Sequence, residues 1–170
     1  MTIKLSNETE ARNYLLGTNA SPMTQALNYT MEQIVARNKE LILKIIYYNY
    51  SPKSYERTRE FLESWKYEIH TFRRTGLPMV SATFEQNPES MSVNNEKAQH
   101  GSPFIYGEDW WKDSREYLAD IIYNGKSGKV FGRGPWTRKR DVWTPLMQSV
   151  ESKIYKWYKD GLENAGLFVK

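Results

Sequence analysis

Residues 21–46, "SPMTQALNYTMEQIVARNKELILKII", constrain the fold more than any other stretch. Ser21 is placed to cap a helix, and Pro22 falls at its first position, where a missing N–H costs nothing. Met23, Leu27, Met31, Ile34, Val35, Leu41, Ile42, Ile45 and Ile46 recur mostly three or four residues apart. They draw one apolar stripe along a helix of about seven turns. A rod with one oily side must lay that side on something, so the chain has to supply further helices or a sheet. Ser51-Pro52 interrupts the rod, because the residue before a proline is pushed out of the helical region. A second helix is expected from Pro52 to about Trp65. Upstream, Ser6 is placed to cap a short helix over about residues 7–16, with Gly17 as its stop.

The period then changes from helical to alternating. In "KYEIHTFRR", Tyr67, Ile69 and Thr71 alternate with Lys66, Glu68 and His70; in "MVSATFE", Val80, Ala82 and Phe84 alternate with Ser81, Thr83 and Glu85. With turn residues between them, these segments predict a β-hairpin over about residues 66–85. Residues 86–108 are polar and without period, a loop of a length that is usually functional, with a short third strand expected near Met91–Val93. "DWWKDSREYLADIIYNG" predicts a helix capped near Asp109 or Asp113, with Tyr117, Leu118, Ile121 and Ile122 inward and Asn124-Gly125 as its end. A last helix is expected from near Asp141 or Thr144-Pro145. Its buried stripe is Trp143, Leu146, Met147, Val150, Ile154, Trp157, Tyr158 and Leu162, and Gly161 or Gly166 closes it. The order reads as an α+β fold: a long N-terminal helix, a small antiparallel sheet packed by helices, and a C-terminal helix. One domain over 1–170 is expected, with a short N-terminal arm, 1–20, and the long polar loop, 86–108.

Composition narrows the chemistry. The chain has no cysteine, so thiolate nucleophiles, disulfides and Cys-ligated zinc are excluded. His70 and His100 are its only histidines; neither has a helix-spaced metal partner, and no serine sits in a G-x-S-x-G elbow. "NGKSGK" fails as a phosphate loop, because Asp120 stands where the pattern needs glycine and the segment before it reads as helix. Glu108, Asp109, Asp113, Glu116 and Asp120 crowd a helix start, where acids suit capping and the macrodipole better than acid–base chemistry. No apolar run approaches the ~20 residues that span a bilayer, and the first residues lack a signal-peptide pattern, so a soluble chain made in the cytoplasm is expected.

Two features remain. Lys126, Lys129, Arg133, Arg138, Lys139 and Arg140 lie in a glycine-rich loop with no acid among them, a pattern that suits a phosphate backbone or an acidic protein surface, or else a solvated loop. Aromatics make up 14% of the chain, and several stand where one core cannot take them all. Tyr47, Tyr48, Tyr50 and Tyr55 crowd the bend, and Trp110-Trp111 are neighbours that point about 100° apart on a helix. These six are the candidate contacts with another chain, aromatic side chains being favoured interface anchors; the competing readings are a core corner for the tyrosines and burial of both tryptophans between helix and loop.

The phrase Tyr50, Pro52, Tyr55, Arg57, Thr58, Phe61, Leu62 after a long amphipathic helix resembles one found in small structural proteins of tailed phages. The likeness continues through a strand pair, "ADIIYNGKSGKVFGRGPW" and "RDVWTPLMQSVESKIYKWYKDGL", and covers about residues 22–165. This pattern resembles the head-to-tail joining family, the minor tail component or tail-completion proteins, and departs from it in the long loop 86–108. The resemblance implies a small sheet against helices and a ring at the neck between portal and tail. It implies a non-enzymatic virion protein without cofactor or metal, whose partners are copies of itself and the adjoining portal, connector or tail proteins. The basic loop would then face the DNA path or an acidic neighbour. Two other readings are a sequence-independent nucleic-acid-binding accessory protein using residues 126–140 and a carboxylate-dependent hydrolase working through a divalent metal.

Overall fold

The computed structural model describes residues 7–16, 21–49, 59–75, 77–91, 118–124 and 139–167. Along the chain they form α1 (Glu8–Leu16), α2 (Pro22–Ile42) continued by a π-helical turn (Leu43–Tyr47), α3 (Glu60–Glu63), β1 (Trp65–Arg74), β2 (Leu77–Gln86), a 3-10 turn (Pro88–Ser90), α4 (Leu118–Asn124) and α5 (Trp143–Asn164). The two strands form one antiparallel sheet, and the fold is mixed helix and strand as the change of period implies. The chain divides into two compact units that share its long elements: Met1–Ala36, Tyr67–Phe84 and Ser149–Lys170 in one, Arg37–Lys66 and Glu85–Gln148 in the other.

In the first unit, Asn7 caps α1, its Oδ1 accepting from the Glu10 N–H at 2.9 Å, and the expected cap Ser6 lies outside the described residues. Ser21 caps α2 as expected: its Oγ lies 3.3 Å from the Thr24 N–H and 2.9 Å from the Thr24 hydroxyl. Ala26, Met31 and Ile34 are the buried stripe of α2 here, while Met23, Leu27 and Val35 are half-buried. Gly161 of α5 packs against Ala26 so closely that a Cβ built on it would lie 2.7 Å from the Ala26 Cα. Glycine there is a contact surface between two helices and not a terminator. The terminator is Gly166, at φ +85. Its N–H donates to the Glu163 carbonyl (2.9 Å) and the Leu167 N–H to the Leu162 carbonyl (2.9 Å), the double bond pattern of a glycine-closed helix end. On the hairpin, Tyr67, Ile69, Val80, Ala82 and Phe84 share the half-buried face. Burial and then the negative charge of Glu32 raise the Tyr67 hydroxyl above its ordinary pKa.

The second unit is built on Leu41, Ile42, Ile46, Phe61, Leu62, Trp65, Met91, Ile122, Val142 and Leu146, all buried. Asn38 is fully buried among them, its side-chain amide without a partner among the described residues. The helix expected from Pro52 to Trp65 is corrected here. Residues 52–58 lie outside the described residues; Arg59 takes a left-handed conformation, φ +63, so no helix runs through it, only Glu60–Glu63 follow as helix, and Trp65 opens β1. Lys39 pairs with Glu63, joining α2 to α3. The buried stripe expected of α5 is also corrected. Leu146 is 1% exposed, but Trp143 is 46%, Met147 37% and, in the first unit, Ile154 44% exposed. Val150, Trp157, Tyr158 and Leu162 are half-buried. The third strand near Met91–Val93 falls largely outside the described residues; Met91 itself follows the 3-10 turn and is buried.

Candidate functional site

The end of α2 is where the expected aromatic corner begins. From Leu43 the backbone widens by one residue per turn, and the Tyr48 N–H donates to the Leu43 carbonyl at 2.9 Å. The inserted residue re-phases the next side chains by about 100° relative to an unbroken α-helix. Ile46 is thereby buried and Tyr47 half-buried, while Tyr48 stands 78% exposed. Asn49 closes the turn from its side chain, donating to the carbonyls of Lys44 (2.9 Å) and Ile45 (3.3 Å). Tyr50, Tyr55, Trp110 and Trp111 lie outside the described residues.

In the same unit, Phe61, Trp65 and Tyr123 form an aromatic cluster. Trp65 and Tyr123 stack in parallel, centroids 5.9 Å apart and planes 3° apart, and Phe61 meets both edge-on at 6.2 and 6.3 Å. A cavity of about 300 Å³ opens beside the stack, with Trp143, Lys139 and Asp141 also lining it. The Tyr123 hydroxyl is buried without a partner among the described residues, and burial pushes its pKa up. It stays a neutral phenol at ordinary pH, which suits packing and not proton transfer. Tyr123 was not among the inward residues expected of α4. It directly follows Ile122, about 100° further round the helix, off the stripe that Tyr117, Leu118, Ile121 and Ile122 draw.

Of the basic-loop residues, Lys126, Lys129, Arg133 and Arg138 lie outside the described residues. Lys139 is exposed and its Nζ lies 3.1 Å from Asp141 Oδ2. Arg140 is tied through its backbone, its N–H donating to the Ile122 carbonyl at 3.1 Å. Asp141 is the hinge of this arrangement. Its Oδ1 accepts from the Thr144 N–H (2.9 Å) and its Oδ2 from the Thr144 hydroxyl (2.8 Å), which caps α5. These bonds, the backbone one foremost and with Lys139 adding to them, hold its carboxyl down at a pKa of about 2. The sequence held Asp141 in view only as a helix start. Its second task, facing the last cations of the basic run, comes from its place one residue beyond them.

Among the described residues no group of three His, Asp or Glu side chains is placed to hold a metal ion, and His70 bonds instead to the Thr83 hydroxyl at 3.1 Å. No helix among the described residues is long and apolar enough to cross a membrane. Compared with protein-family models, with curated proteins and with solved structures, the chain matches none.

Proposed function

We propose that the chain is a structural subunit of a phage neck, joining head to tail as one copy in a ring within the virion. Its partners in this reading are further copies of itself and the adjoining portal, connector or tail proteins. The observation that carries the reading is Tyr48, 78% exposed at a corner built to turn it outward. Trp143, in the same unit, is 46% exposed although the period of α5 marks it for burial. Exposed large aromatics on rigid helical elements are the side chains that anchor interfaces. A closed ring needs two different patches on each subunit, one for each neighbour. The likeness of residues 22–165 to head-to-tail joining proteins supplies the setting. The nucleic-acid reading has less support, because Lys139 faces Asp141 and part of its charge is already answered.

The test is assembly with Tyr48→Ala and Trp143→Ala, singly and together. Each true anchor contributes about 2 kcal/mol or more to association. The variants should keep the parent's circular dichroism and fail to assemble. Assembly at the parent's level, with only a lower melting temperature, would return both residues to the subunit's own packing.

A further inference from the structure

The far end of the hairpin is a bare, positively charged ribbon. Its register is fixed at the base, where the Asn87 N–H donates to the Ser64 carbonyl at 2.6 Å and Lys66 pairs with Glu85 at 3.3 Å. The same register places Phe72 opposite Met79. Every residue from His70 to Thr75 is exposed, whichever face of the ribbon it stands on. No acidic residue lies between Glu68 and Glu85. Lys66 is answered by Glu85, and the His70 ring by the Thr83 hydroxyl. The guanidinium groups of Arg73 and Arg74 enter no ion pair or hydrogen bond among the described residues. Successive side chains of a strand point to opposite faces. Arg74 therefore leaves the ribbon on the face of Phe72 (44% exposed) and Met79 (38%), and Arg73 on the other. A flat acidic surface meets only one of these faces. A partner that answers both arginines must present negative walls on either side of the ribbon.

We propose that this end of the hairpin enters the major groove of double-stranded DNA, with Arg73 on the phosphates of one strand and Arg74 on those of the other. The major groove of B-form DNA is about 12 Å wide and admits a two-stranded ribbon, while the minor groove, about 6 Å wide, is too narrow. Stacked sheets lie about 10 Å apart because that is the depth their side chains fill, so a ribbon dressed on both faces matches the wider groove. Arginine suits the task, since its planar fork binds phosphate oxygens in pairs. Phe72 and Met79, beside Arg74, then pack on the sugars of the same wall. Contacts of this kind hold the duplex without reading its sequence. The site is separate from residues 126–140, and the inference does not rest on the neck reading.

The test is fluorescence anisotropy of a short labelled DNA duplex with the whole chain, over a series of salt concentrations. Each phosphate neutralised on B-form DNA adds about 0.9 to the slope of log affinity against log salt. Arg73→Gln and Arg74→Gln should each lower that slope by about 1, and the double variant by about 2, with circular dichroism unchanged. An RNA duplex of equal length carries the same number of phosphates, but its major groove is deep and too narrow for side chains. It should bind several-fold more weakly than the DNA. Polyglutamate at matched charge should not displace the DNA. Absence of binding at low salt, or a slope unmoved in the double variant, would overturn the proposal. So would an RNA duplex bound as tightly as the DNA, or displacement by polyglutamate, which would make the partner an acidic protein surface. None of these outcomes bears on assembly with a portal, so the two proposals fail separately.

Discussion

Two residues hold local conformations whose cost or benefit can be measured. Asp141 caps α5 and its carboxyl is held near pKa 2, against an ordinary 3.8. A carboxyl depressed in the folded state stabilises the fold above its unfolded pKa and loses that contribution as pH falls through the folded one. Asp141→Ala should therefore cost about 1 kcal/mol at pH 7. The gap from the parent should close between about pH 4 and pH 2, as read by urea unfolding across that range. A gap that stays constant down to pH 2 would mean that the charged cap is not what the substitution removes. Thr75, at the hairpin turn, carries φ +51, a conformation that a β-branched residue seldom takes. Asparagine tolerates it, and Asn-Gly is the favoured two-residue turn, a pair that Thr75→Asn creates with Gly76. That substitution should raise the unfolding free energy by about 0.5–1 kcal/mol. A lower midpoint would show that the Thr75 hydroxyl, which donates to the Arg74 carbonyl at 2.7 Å, outweighs the strain.

Among elements, those with a long repeat were legible in the sequence and those that depend on a neighbour were not. Ser21-Pro22 and the α2 stripe, the alternation of the hairpin and the start of α5 near Asp141 all come from residue type and spacing. The π-helical turn does not: "LKIIY" continues the α2 pattern, and nothing in it announces the extra residue per turn. Glycine in a helix has the same ambiguity. Gly161 and Gly166 look alike as terminators, yet one meets Ala26 at the helix contact and the other closes the helix. Their responses to alanine should differ accordingly. At Gly161, alanine gains about 1 kcal/mol of helix propensity. It also drives a Cβ to 2.7 Å from a backbone atom that cannot rotate away. Overpacking of this kind costs about 1–3 kcal/mol, and the rigid contact puts it at the upper end. Gly161→Ala should therefore lower stability by about 1–2 kcal/mol in chemical denaturation. A stabilised variant would mean that the two helices separate without penalty.

For the whole molecule, the α+β class was legible because the period switches cleanly from helical to alternating near residue 66. The candidate site was legible only in part. Tyr48 and Lys139 emerge exposed, but the exposure of Trp143, Met147 and Ile154 reverses the burial that their spacing implies. Periodicity shows that residues share a face; it does not show whether the same chain covers that face. In the proposed reading, the large apolar side chains left uncovered are where a neighbouring chain would pack. The most direct measurement is the mass of the purified 20.0 kDa chain, alone and mixed with a portal complex, by native mass spectrometry or sedimentation velocity. Many copies should join the portal in one discrete assembly, and Tyr48→Ala with Trp143→Ala should abolish it. A chain that stays apart from the portal at every concentration, with its mass unchanged by the portal's presence, would contradict a neck role.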